Sequence, residues 1–105
     1  MSYEVILSRP AERDVKNLPR NVLNRVLPVL RFLADDPRPT GAVAVAEIPG
    51  AYRVRIGDSR IVYAVRDNIL IVLVLAIADR SEVYSQKEIA RMRQTLKQWR
   101  KGHAP

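Results

Sequence analysis

The sequence predicts an α+β domain: two N-terminal helices packed on a mainly antiparallel sheet of about four strands, with a further helix at the C-terminal end. Three observations predict it. Residues 20–35 repeat apolar side chains at helical spacing, residues 51–63 alternate apolar and basic side chains at period 2, and residues 69–78 are an unbroken apolar run. The order of one strand, two helices, a run of about four strands and a last helix argues for helices laid on a sheet.

The elements follow in order. Residues 3–8, Tyr-Glu-Val-Ile-Leu-Ser, are β-prone and read as a first strand. Pro10 suits the first turn of a helix, where its missing N–H has no intrahelical partner. Residues 10–18 then carry Ala11, Val15 and Leu18 on one face, and Pro19 ends the segment. Residues 20–35 form a longer helix with Leu23, Val26, Leu27, Leu30 and Leu33 as its apolar face. Pro28 lies within it and should kink it near Asn24. Asp36-Pro-Arg-Pro39 and Thr40-Gly41 are a loop, and residues 42–48 read as a short strand with Val43 and Val45 on one face.

The stretch Ala51-Tyr-Arg-Val-Arg-Ile-Gly-Asp-Ser-Arg-Ile-Val-Tyr63 reads as a hairpin with a primed Gly57-Asp58 turn. The turn sets the register: Ile56 opposite Ser59, Arg55 opposite Arg60, Val54 opposite Ile61, Arg53 opposite Val62. Val54, Ile56 and Ile61 face a core, and Arg53, Arg55 and Arg60 share the other face. Like charges facing each other across a strand pair are unfavourable. Either three long side chains splay into water, or the cluster awaits an anion, whose oxygens arginine forks match bidentately.

Asp67-Asn68 reads as a second two-residue turn, which sets Arg60 opposite Leu75. Residues 69–78 read as a central strand covered on both faces. The exit of that strand at Ala78-Asp79 then lies beside the Gly57–Ser59 turn, and Arg80 and Tyr84 come up to Arg55 and Arg60. Ser85 and Glu88 fit a capping box at the start of a helix reaching about Lys101, with Ile89, Met92, Leu96 and Trp99 as its stripe. Residues 102–105 are expected to fray.

Composition narrows the function. One hundred and five residues make one domain, 1–105, and 18 basic against 11 acidic residues leave a net charge of +7. A domain this basic suits nucleic acid, although charge also serves solubility. Without cysteine there is no disulfide or thiol chemistry. The N-terminus lacks the pattern of a signal peptide, and the longest apolar run is too short to span a bilayer, so a soluble cytoplasmic protein is expected. His103 is the only histidine, so a histidine acid–base pair is excluded on this chain. No metal-ligand spacing and no phosphate loop occur, so no metal or cofactor is called for.

An arginine corner with one tyrosine suits metal-independent RNA cleavage. The 2′-hydroxyl attacks the neighbouring phosphate, and preorganised cations stabilise the charge that develops on it. Tyr84 stands to stack on a base or to sit near the proton transfers. Glu47, Asp58, Asp79 and Glu82 are nearby carboxylates, either bases or structural partners of the arginines.

Tyr52-Arg-Val-Arg-Ile-Gly-Asp-Ser-Arg-Ile-Val-Tyr63 followed by Asp79-Arg-Ser-Glu-Val-Tyr84 resembles the RelE family of the RelE/ParE toxin superfamily. The resemblance spans roughly residues 3–85. It implies the toxin of a type II toxin–antitoxin pair, an endonuclease that cuts mRNA in the ribosomal A site without metal and inhibits translation. The implied catalytic residues are Arg53, Arg55, Arg60, Arg80 and Tyr84. The implied partners are the ribosome and mRNA, and a small RelB-like antitoxin through which the complex binds operator DNA. Arg13, Lys16 and Arg20 would meet ribosomal RNA. Two positions depart from many relatives: Asp79 stands where a histidine is common, and Arg53 and Arg55 stand where lysines occur. A ParE-like toxin that binds DNA gyrase and cuts nothing, and a non-enzymatic nucleic-acid-binding module, are the competing readings.

Overall fold

The computed structural model describes residues 2–79 and 84–103. Strand β1 (Glu4–Leu7) leads through Ser8 into helix α1 (Arg9–Asn17). The Ser8 hydroxyl accepts the Ala11 amide at 3.3 Å, which closes the first turn. Helix α2 (Arg20–Asp35) follows and is assigned as one helix through Pro28. Strands β2 (Val43–Ala44), β3 (Ala51–Ile56), β4 (Ser59–Arg66) and β5 (Ile71–Ala78) come next, then helix α3 (Gln86–Gly102).

The sheet has five strands, in the order β1-β5-β4-β3-β2. The expected four antiparallel strands are β2 to β5; β1 adds a fifth, parallel to β5. Beyond the end of β1, the Asp14 carboxylate on α1 accepts the Ile77 amide at 3.0 Å. Burial raises the pKa of this carboxyl above the usual range, and the bond to Ile77 opposes that shift.

Each face of the sheet has its own apolar cluster. Val26, Leu30 and Leu33 of α2 pack with Ile61, Tyr63 and Val74 on one face. Met92 and Leu96 of α3 pack with Val62, Leu73 and Leu75 on the other. The α2 face is rotated from the expected one: Val22 is buried, whereas Leu23 and Leu27 are half-buried. The α3 stripe is as read, with Ile89 and Trp99 at its margins.

The β3–β4 register is the one the Gly57-Asp58 turn dictates, pair for pair. Gly57 has a φ of +62°. No positive φ occurs at Asp58, so the turn has the type II′ pattern, which needs glycine at its first central position.

Three local expectations are corrected. Residues 67–70, not two residues, join β4 to β5, and Leu70 takes a φ of +55° there. The Leu70 carbonyl accepts the Glu4 amide at 2.9 Å, so β1 recruits it away from the β4 ladder. A bulge between Val62 and Tyr63 adds to the shift, and Arg60 pairs with Ala78, not Leu75. The expected strand 42–48 is only Val43–Ala44, because the Ile48 amide turns back to the Val45 carbonyl at 3.0 Å. The capping box forms by half: Ser85 Oγ accepts the Glu88 amide at 3.2 Å, whereas the Glu88 carboxylate accepts from Arg91 at 2.6 Å.

The bulge has a consequence for β5. Leu73, Leu75 and Ala76 all join the α3-side cluster, and Ile77 joins the α2-side cluster. Strand parity is therefore inverted after Leu75. The inversion sets the small Ala78 beside Arg60 on the α3 face. Near the end of α3 His103 stacks on Trp99 with centroids 3.9 Å apart, and the Arg66 guanidinium lies 5.8 Å from the Trp99 ring centroid; residues 104 and 105 of the segment expected to fray lie outside the described residues.

Candidate active site

The α3 face of the hairpin carries Arg53, Arg55 and Arg60, and α3 covers only part of that face. At the hairpin tip the three arginines and Tyr84 line one cavity of about 420 Å³. A further wall is residues 43–47, which are β2 and the segment that follows it. Arg55 and Arg60 are a cross-strand pair, so the like-charge juxtaposition read from the sequence is present. Arg53 and Arg60 are half-buried and Arg55 is exposed.

Arg60 holds the centre. Its guanidinium lies 5.9 Å from the Tyr84 ring centroid, within cation–π range, and one Nη donates to the Asp58 carbonyl. Arg60 Nε and the Tyr84 hydroxyl are buried with no hydrogen-bond partner among the described residues. The exposed Arg55 guanidinium, on the same cavity, is the group open to an oxygen-rich ligand. Among the described residues, none of the three arginines is within ion-pair distance of a carboxylate.

Four of the five predicted site residues thus meet at one cavity. The fifth, Arg80, lies outside the described residues, as does Glu82. Of the remaining carboxylates, Glu47 lines the cavity and Asp58 contributes its backbone carbonyl to Arg60. The wall formed by Val43, Ala44, Val45 and Ala46 was not foreseen as part of the site. Its signal was the run of small residues from Ala42 to Ala46, which keeps that wall low. Among the described residues no group of three or more His, Cys, Asp or Glu is gathered to hold a metal ion. None of their helices is long and apolar enough to cross a membrane.

A family model described as the ParE toxin of type II toxin–antitoxin systems matches residues 5–84. The chain belongs to this toxin family. The match contains both halves of the motif that carries Arg53, Arg55, Arg60 and Tyr84.

Solved structures agree on the superfamily. The RelBE2 toxin–antitoxin complex from Mycobacterium tuberculosis contains a chain 27% identical, with a TM-score of 0.69, over 77% of this chain and 94% of that one. The isolated E. coli RelE toxin is 26% identical, with a TM-score of 0.66, over 82% and 95%. A doubly substituted E. coli RelE in the free state shares the fold at a TM-score of 0.71 and 18% identity, over 90% and 97%. No curated protein sequence matches the chain. The protein is a toxin of the RelE/ParE superfamily, with the α+β fold its sequence predicts.

Proposed function

We propose that this toxin is a ribosome-dependent mRNA endonuclease that cuts in the A site by metal-independent attack of a 2′-hydroxyl, and so inhibits translation. The observation that carries the reading is the Arg60–Tyr84 stack, with Arg53 and Arg55 on the same cavity and, among the described residues, no carboxylate within ion-pair distance of the three arginines, although Glu47 also lines the cavity. The likeness to RelE structures at 26–27% identity supports it further.

In this reading the 2′-oxygen bonds to phosphorus as the P–O5′ bond breaks, the proton passing net from the 2′-hydroxyl to the leaving 5′-oxygen to give a cyclic phosphate and a 5′-hydroxyl; Arg60 and Arg55 grip the scissile phosphate and stabilise the charge that builds on its oxygens. Arg53 orients the flanking phosphate, and Arg80 adds a further cation. Arginine stays protonated throughout, so these groups act by charge and hydrogen bonding rather than by proton transfer. The Tyr84 ring holds Arg60 and offers its edge to an unstacked base. The whole sequence 1–105 acts as one domain in the cytoplasm. A small antitoxin of RelB type covers it, and the complex binds operator DNA through the antitoxin. RelE chains from M. tuberculosis and E. coli were solved with such partners.

The family-model match favours a second reading, a ParE-like toxin that binds DNA gyrase without cutting RNA. Primer extension on a defined mRNA in a purified translation system separates the two. Cuts within the A-site codon that require ribosomes are the expected result. Intact mRNA in both tubes, with inhibited supercoiling by gyrase, would transfer the function to the second reading.

A further inference from the structure

Past the end of β1, the outer edge of β5 is held by side chains. The last backbone pairing of β1 is Leu7 with Val74, and the chain then turns into α1. The hydroxyl of the buried Ser8 donates to the Leu75 carbonyl at 3.4 Å, and Asp14 Oδ2 accepts the Ile77 amide at 3.0 Å. These bonds fall at and just beyond the bulge, where Leu75 is left over between the pairs Tyr63–Val74 and Val62–Ala76. Asp14 is half-buried and, among the described residues, in no ion pair. The charges that bear on it are Arg91 and Glu88 of α3 and Arg13 of its own helix. Arg91 is already engaged by Glu88 at 2.6 Å, which leaves Asp14 to the Ile77 amide.

The bulge decides what stands beside Arg60. Carried straight on from Tyr63–Val74, the register would set Ile77 opposite Arg60. The bulge sets Ala78 there instead, and Ile77 goes to the core on the α2 side. Re-aiming side chains in this way is what an extra residue in one strand does. A methyl group beside Arg60 leaves its guanidinium room to lie 5.9 Å from the Tyr84 ring centroid. An isoleucine side chain on the same face would take that room.

We infer that Asp14 is a positioning residue for RNA cleavage: by accepting the Ile77 amide it locks the bulged register of β5 and so holds Arg60 in its pairing with Tyr84. The inference rests on the nuclease reading of the arginine cavity. Asp14 acts through Ile77 and Arg60, not on the RNA. Without an acceptor at position 14, the bulged register leaves the amide of a buried residue unpaired, which is costly. The straight register, which turns Ile77 toward Arg60, then gains on it.

Cleavage of mRNA on programmed ribosomes, read by primer extension, tests the assignment together with nitrogen-15 NMR of the free toxin. Asp14→Ala should lower kcat about tenfold or more and leave KM for programmed ribosomes nearly unchanged, the signature of a displaced catalytic group. Asp14→Asn keeps an oxygen that accepts the amide and should restore most of kcat. Glu12→Ala, exposed on the same helix, should cut like the parent. In Asp14→Ala the Ile77 amide should lose protection from exchange and the Arg60 Nε resonance should shift; in Asp14→Asn neither should change. Equal loss of cleavage in the two Asp14 variants would make charge the cause, not the bond, and overturn the proposal. An Arg60 Nε resonance unmoved in Asp14→Ala would overturn it as well. If Asp14→Ala does not fold, Asp14→Asn carries the test: a folded Asn variant that cuts no better than Arg60→Ala would overturn the proposal. A parent that cuts no mRNA removes the nuclease reading, and the spectra still decide whether Asp14 holds Arg60, so the two fail separately.

Discussion

Arginine plays opposite parts at the two ends of the β3–β4 hairpin. At the open end Arg38 is fully engaged: its guanidinium donates to both oxygens of Asp67, at 3.1 and 2.8 Å, and its Nε donates to the Tyr52 hydroxyl at 3.1 Å. The Tyr3 hydroxyl donates to the same Asp67 at 2.6 Å, and Tyr63 donates to the Pro37 carbonyl at 2.8 Å. At the tip Arg53, Arg55 and Arg60 have no carboxylate partner among the described residues. The difference teaches that an acid within reach turns an arginine into a fastener. An arginine without one stays ready for an anion from outside.

The largest effect that would break this comparison is at the tip. Arg60→Ala should lower mRNA cleavage by about 100-fold or more, the usual scale for removing one positioned charge at a developing oxyanion. Thermal unfolding should move little, and growth arrest in cells should disappear. Retained arrest in an Arg55→Ala, Arg60→Ala double variant would remove the tip from the active site. Tyr84→Leu sharpens the point, because it removes the ring and leaves the charges. It should reduce cleavage by a smaller factor, about fivefold if the cation–π contact of about 1 kcal/mol is what positions Arg60.

At the open end the prediction reverses. Arg38→Ala should leave cleavage unchanged and cost about 1 kcal/mol or less in chemical denaturation, because the pair with Asp67 is largely solvent-exposed. The smallest effect is in acid. The bond from Arg38, helped by that from Tyr3, holds the Asp67 carboxyl down at about 2. Its folded pKa is thus below its unfolded value, so its contribution is whole above about pH 4 and is lost as pH falls toward 2. Asp67→Asn should flatten that part of the stability profile, read as unfolding midpoints across the window.

Much of this was legible in the sequence because the signals were local. Gly57-Asp58 demanded a tight turn, the turn set the register, and the register put Arg55 opposite Arg60. The spacing of Ile89, Met92, Leu96 and Trp99 likewise announced the buried side of α3. The second turn misled because its signal was not local. Ile69 and Leu70 are as apolar as the strand after them, and only the demand of β1 for the Leu70 carbonyl draws them into a four-residue turn. Nothing near Val62 or Leu75 encodes the bulge, which answers to packing on both faces at once.

The sequence by itself determined the α+β class, the hairpin and the shared face of Arg53, Arg55 and Arg60, because strand alternation and turn chemistry act over a few residues. Tertiary structure alone decided which arginines, among the described residues, find a carboxylate. Arg38 is distant in sequence from Asp67, and only the closed sheet brings them together. It also decided that residues 43–47 wall the arginine cavity, because a connection becomes a wall only when the elements on either side of it have packed.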